Sequence, residues 1–101
     1  MAALAKTLLA AAAATGPGAS VDLTVLARSL TMYVTLSAVN PDPGCQVALE
    51  VSLDGTNFWS LGVVQGQNVF NNDQDVCQYV RANVRSIASG TVSAVVGYVS
   101  G

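Results

Sequence analysis

The sequence predicts an all-β protein: a jelly-roll-like antiparallel β-sandwich with a short N-terminal arm or helix. Three observations predict it. Apolar and polar residues alternate with a period of two in several stretches, the pattern of strands that turn one face to a core. These stretches are short and divided by segments containing Gly, Pro, Asn or Asp, the spacing of sandwiches and barrels. At 101 residues the chain has room for one domain and one modest core.

Residues 1–14, MAALAKTLLAAAAA, are rich in the helix formers Ala and Leu. The apolar run is too short for a membrane span, and one lysine preceded by apolar residues is a weak basic region for a signal peptide. The segment therefore reads as mature protein: a short helix, or a strand or arm lying on a neighbouring subunit. Residues 1–20 are taken as this arm or edge segment and 21–101 as a single sandwich domain. Thr15-Gly16-Pro17-Gly18 is a turn by composition, and Ala19 to Leu23 and Val25 to Ala27 can extend. From Ser29 the alternation is strong, with Leu30, Met32, Val34 and Leu36 on one side and Thr31, Tyr33, Thr35 and Ser37 on the other. Asn40-Pro41-Asp42-Pro43-Gly44 then ends the ladder, because proline lacks a backbone donor.

The organising stretch is Cys45 to Leu61. Cys45, Val47, Leu49, Val51 and Leu53 share one face, and Asp54-Gly55-Thr56-Asn57 reads as a turn. Phe58, Trp59 and Leu61 begin the return strand, and with these large apolar side chains the Cys45–Leu61 hairpin is expected to anchor the core. Residues 65–75 are the most polar stretch, with Val69-Phe70 as a short edge piece and Phe70 either plugging the core or projecting into a partner. In Val76 to Ser86, Val80, Ala82 and Val84 oppose Tyr79, Arg81, Asn83 and Arg85. Ala88-Ser89-Gly90 turns into the last strand, Thr91 to Val99, with Val92, Ala94, Val96 and Tyr98 on one face. The short link predicts an antiparallel relation between these last two strands.

Only 10% of residues are charged, against about 25% in an average soluble domain. Burial of part of the surface against partner subunits accounts for this, and a secreted domain with a neutral surface is the alternative. Lys6, Arg28, Arg81 and Arg85 are scattered and the net charge is −2, which argues against a nucleic-acid groove. Cys45 and Cys77 leave two alternatives open, buried thiols or one disulfide.

The chain has no histidine and Glu50 is its one glutamate, so the usual acid–base and triad chemistries lack their residues. The expectation is a protein that is not an enzyme, without cofactor or metal. Asp73 and Asp75, with Asn71 and Asn72 nearby, match no calcium-loop spacing. Phe58, Trp59 and Tyr33 offer an aromatic platform for sugar, weighed against core or subunit packing. Arg81 and Arg85 can pair with Glu50 or with carboxylates of another subunit. The candidate interface or packing residues are thus Tyr33, Glu50, Phe58, Trp59, Phe70, Tyr79, Arg81 and Arg85.

SLDGTNFWSLG, followed by YVRANVRSIASGTVSAVVGYV, resembles a group of small β-proteins of tailed bacteriophages and prophages. The group pairs an S-x-D-G-x-N-[FW] hairpin with a Y-[VI]-R segment and a final G-T-V strand. The matching positions are Ser52, Asp54, Gly55, Asn57, Phe58 and Trp59, then Tyr79, Val80 and Arg81, then Gly90, Thr91 and Val92. The opening TLLAAAAATGPGASVDL is similar to the start of that group, so the resemblance runs through most of the chain. It implies a head decoration or cement protein on the outer surface of the virion capsid, with further copies of itself, commonly as a homotrimer, and the major capsid protein as partners, and neither nucleic acid nor membrane. The same hairpin also resembles those of discoidin-like and carbohydrate-binding sandwich modules, which implies surface carbohydrate as an alternative ligand.

Overall fold

A computed structural model of the chain describes residues 3–37, 45–66, 68–72, 76–87 and 90–100. These residues form eight strands and no helix: β1 (Ala3–Ala12), β2 (Gly16–Pro17), β3 (Val21–Ser37), β4 (Gln46–Ser52), β5 (Phe58–Gln65), β6 (Val69–Asn72), β7 (Cys77–Ser86) and β8 (Thr91–Ser100). The Asn40–Gly44 loop, Asp73 to Asp75 and Ala88-Ser89 lie outside the described residues.

The pairing follows one rule. β4 pairs with β5, β3 with β6, β2 with β7 and β1 with β8, all antiparallel. This is one long hairpin folded about the loop between β4 and β5. It is rolled up by two further antiparallel contacts, β8 with β3 and β7 with β4. The result is two four-stranded layers, β1-β8-β3-β6 and β2-β7-β4-β5, the arrangement of an eight-stranded jelly roll. β3 belongs to both layers, since Val21 and Asp22 continue along β7 before the strand crosses to β8 and β6.

That crossing explains why β3 is long and irregular. From Asp22 to Ala27 it advances five positions while its partner retreats two, from Tyr79 to Cys77. Thr24 sits at φ 65° and Ser29 at φ 56°, a left-handed conformation that is costly for a β-branched threonine. Asp22 supports it by accepting the Thr24 amide at 2.8 Å and the Gln78 side-chain amide at 3.0 Å. The loop so formed holds Leu23 inside and leaves Val25 and Leu26 exposed. What the sequence presents as two short extended pieces and a strand from Ser29 is thus one bulged strand.

The core lies between the layers. Met32, Val34, Val92, Ala94 and Val96 face Val47, Leu49, Val51, Val80, Ala82 and Val84, all buried. The alternations expected for β3, β7 and β8 hold. Cys45 and Cys77 are buried in this core as thiols, without a disulfide between them.

One alternative is decided and two expectations are corrected. Of the helix, strand or arm open to the N-terminal stretch, residues 3–12 form a strand: their backbone pairs with β8 of the same chain, and long-range pairing outweighs alanine's helical preference. A bulge after Thr7 lets the consecutive Leu8 and Leu9 both turn inward. The hairpin anchors the core through Cys45, Val47, Leu49 and Val51, not through its return strand β5. Phe58 and Leu61 are half-buried and Trp59 is exposed, because β5 pairs on one side only and ends its layer. Finally, β4 is buried on both faces, Ala48, Glu50 and Ser52 included, while Leu53 lies beyond its end and is exposed. A strand between two neighbours is screened on its outer face by their longer side chains.

At each side of the roll one side-chain contact joins the two layers. On one side Leu9 of β1 lies against Gly18. On the other, Phe70 of β6 lies over Gly62 of β5, where a Cβ would overlap the ring. Phe70 thus plugs the space between the layers and packs against the core.

The hairpin tip is held by its own side chains. The Ser52 hydroxyl accepts the Asp54 and Gly55 amides and donates to Asp54 Oδ1 at 2.9 Å. Asp54 Oδ1 also accepts the Thr56 and Asn57 amides, both at 2.8 Å, and Oδ2 accepts the Asn57 side-chain amide. Gly55, at φ 80°, completes the turn beside the Tyr79 ring. The amides of Asn57 and Thr56, then the side chains of Asn57 and Ser52, hold the Asp54 carboxyl well below the usual carboxylate range.

Two outcomes follow. Gly62→Ala should destabilise the fold by roughly 1–3 kcal/mol through overpacking, and Phe70→Leu should recover part of the loss; urea titration of the single and double variants measures both. Asp54 favours the folded state while it is ionised. Its depressed folded value means that this contribution is present above roughly pH 4, the unfolded value, and is lost as pH falls through the folded value. Melting temperatures of the native chain and Asp54→Ala should therefore differ at neutral pH and converge in strong acid. A constant difference from pH 7 to pH 2 would refute that assignment.

Candidate functional site: two sheet faces and an open side

The two layers present outer faces of different character. On the β2-β7-β4-β5 layer, register places Glu50 opposite Arg81, Ala48 opposite Asn83, and Ser52 opposite both Tyr79 and Phe58. Arg81 Nε donates to Glu50 Oε1 at 2.7 Å, and Asn83 Nδ2 donates to Oε2 at 3.2 Å. The Arg81 guanidinium also lies 4.1 Å from the centroid of the Phe58 ring. Both carboxylate oxygens are therefore engaged, and the arginine is held by charge on one side and an aromatic face on the other. This is a positioned, half-buried ion pair with the geometry of a structural brace. Arg85 stands exposed farther along the same strand and Tyr79 is half-buried beside the hairpin tip.

On the β1-β8-β3-β6 layer, Tyr33 lies between Val95 and Val69, and Thr31 lies between Gly97 and Asn71. β1 adds Ala5 and Thr7 on the same side, opposite Gly97 and Val95. Arg28, beside Val99, stands at the margin of an otherwise uncharged row of described residues. Along β6, an open cleft of about 370 Å³ is lined by Ser29, Leu30, Thr31, Asn71 and Asn72. Within it the Thr31 hydroxyl donates to Asn71 Oδ1 at 2.8 Å.

The predicted residues therefore divide into groups. Glu50, Arg81 and Phe58 come together, with Tyr79 and Arg85 on the same face. Phe70 is internal. Tyr33 and Trp59 are both exposed, at 46% and 40%, but they stand on different layers, Tyr33 on an outer face and Trp59 in register with the core residue Val51. Their placement does not make one aromatic platform. Sequence reasoning missed three features. Asn83 shares Arg81's row, and that row is the signal that could have placed it beside Glu50. Val63 is exposed at 43%, and nothing in its alternation tells an edge strand from a central one. The Ser29 cleft depends on a bulge, which periodicity does not encode.

Among the described residues no group of three or more His, Cys, Asp or Glu side chains could hold a metal ion. No helix among them is long and apolar enough to cross a membrane.

No protein-family model and no curated protein sequence matches the chain. A solved structure does: the crystal structure of the SPBc2 prophage-derived protein YomS superposes with a TM-score of 0.67 at 18% identity, over 98% of this chain and 94% of that one. The likeness spans the whole roll, including both edge strands, and shows that the two proteins share a fold.

Proposed function

We propose that this chain is a structural virion protein of a tailed bacteriophage that decorates and cements an icosahedral head from its outer surface. The observation that carries the reading is the whole-length likeness to a prophage-derived protein. The hairpin, Y-V-R and G-T-V motifs agree with it. So does a low charge content combined with exposed apolar side chains on the edge strands. In this reading the protein performs no catalysis. Its partners are the major capsid protein and further copies of itself, as a homotrimer, with neither nucleic acid nor membrane involved.

The mechanism is linkage. A protein that binds assembled shell and not free subunits stabilises the shell by RT ln(1 + [L]/Kd), about 2.7 kcal/mol per site at a hundredfold excess over Kd. The braced roll suits such a clamp, because a stiff domain loses little further conformational freedom on docking. Adding purified protein to shells that lack it should give saturable occupancy and a higher temperature of shell disruption. Absence of binding at saturating concentration would end the cementing reading.

A second reading, a carbohydrate-binding module, is favoured by the cleft beside β6. Its hydroxyl and amide lining, with Tyr33 two positions from Thr31 on the same face, offers neutral hydrogen-bonding partners next to an exposed ring. Titration with neutral oligosaccharides should then perturb the Tyr33 ring resonances in NMR spectra, and Asn71→Ala should abolish the effect. Unchanged spectra at millimolar sugar would dismiss this ligand class.

A further inference from the structure

We propose that copies of this chain associate head to tail, with the open β5/β6 side of one copy against the β1 edge of the next. The inference rests on the two ends of the strand order, β1-β8-β3-β7-β4-β5. An edge strand carries backbone donors and acceptors on its outer side that template pairing with another chain, unless charges, prolines or bulges blunt it.

β5 is poorly blunted. Its eight residues, FWSLGVVQ, contain no charge and no proline, and its single register shift falls around Leu61. Trp59 and Val63 are exposed along it, and Val69 of the adjacent β6 is more exposed still. Bulky apolar side chains thus border an available ladder.

β1 is available in its first half. Ala3 to Thr7 pair one to one with Val99 to Val95, and the bulges come only after Thr7. Among the described side chains there, Ala5, Lys6 and Thr7 are exposed, two of them small. Large side chains can seat against Ala5 and Thr7, whereas β5 against β5 would oppose bulk to bulk. Self-pairing of β1 would bring two copies of Lys6 together, whereas pairing with β5 sets that lysine beside a strand without charge. The contact joins two different surfaces, so it propagates until rotation closes a ring. The inference stands apart from the shell reading: a chain that self-associates and ignores shells would leave it intact.

The test is complementation, read by light scattering on the full chain. The native protein should show a mass at least twice the 10.3 kDa of the monomer. Val63→Lys and Ala5→Arg should each be monomeric, since each spoils one of the two surfaces. Mixed one to one, they should form a dimer, because the intact β5 side of the second variant meets the intact β1 edge of the first. Trp59→Lys and Thr7→Arg form a second pair, should a member of the first lose its cooperative melt. A monomeric native chain would overturn the proposal, and so would folded variants that remain monomeric on mixing.

Discussion

Antiparallel pairing about the 53–57 tip is the constraint on which everything else depends. Once β4 and β5 are joined there, β3 is aligned with β6, β2 with β7 and β1 with β8 by the same antiparallel sense. Rolling this ribbon puts alternate pairs into opposite layers and buries one face of each. The tip is accordingly the most internally bonded loop among the described residues. A serine, an aspartate and an asparagine satisfy one another and four backbone amides of the tip. Such local bonding fixes strand register, and a slip of one residue would turn every core side chain of β4 outward.

Rolling also sets the fate of the charges. β4 lies between two neighbours, so a glutamate there cannot reach water freely. Glu50 is buried because of its position in the ribbon, and Arg81 and Asn83 meet it because register brings them alongside. An uncompensated carboxylate at that place would be costly, and the Phe58 ring holds the arginine in its pairing position. One ion pair, one amide and one ring thus brace the outside of a layer whose inside is aliphatic. The other layer solves the same problem by carrying almost no charge.

Much of this was legible in the residues. The alternation of Leu30 to Leu36, Val80 to Val84 and Val92 to Tyr98 reports three core strands directly, because their facing layer is continuous. The same logic fails at the edges and at the centre. Phe58, Trp59 and Leu61 look like core by size, yet β5 ends its layer and has little to cover them. Glu50 and Ser52 look like surface by polarity, yet neighbours on both sides enclose them. Burial depends on strand order, which is a long-range property, while periodicity is a local one. The N-terminal stretch stays open on local grounds: alanine's preference for helix is outweighed by a ten-residue partner at the other end of the chain.

The edges join these threads. The sequence has few charges to spend on its surface, and the fold commits one of its best-placed cations, Arg81, to Glu50. What remains for the strands that end each layer is one lysine on β1 and none on β5. A sandwich that acts alone usually guards such edges, because unpaired ladders invite aggregation. Here β5 combines an open ladder, exposed Trp59 and Val63, and the tight Gly62–Phe70 seam that holds it in place. In the proposed head-to-tail contact, a strand already held by that seam would lose little further freedom when a second copy docks. The same contact would cover Trp59 and Val63 and complete the open ladder of β5.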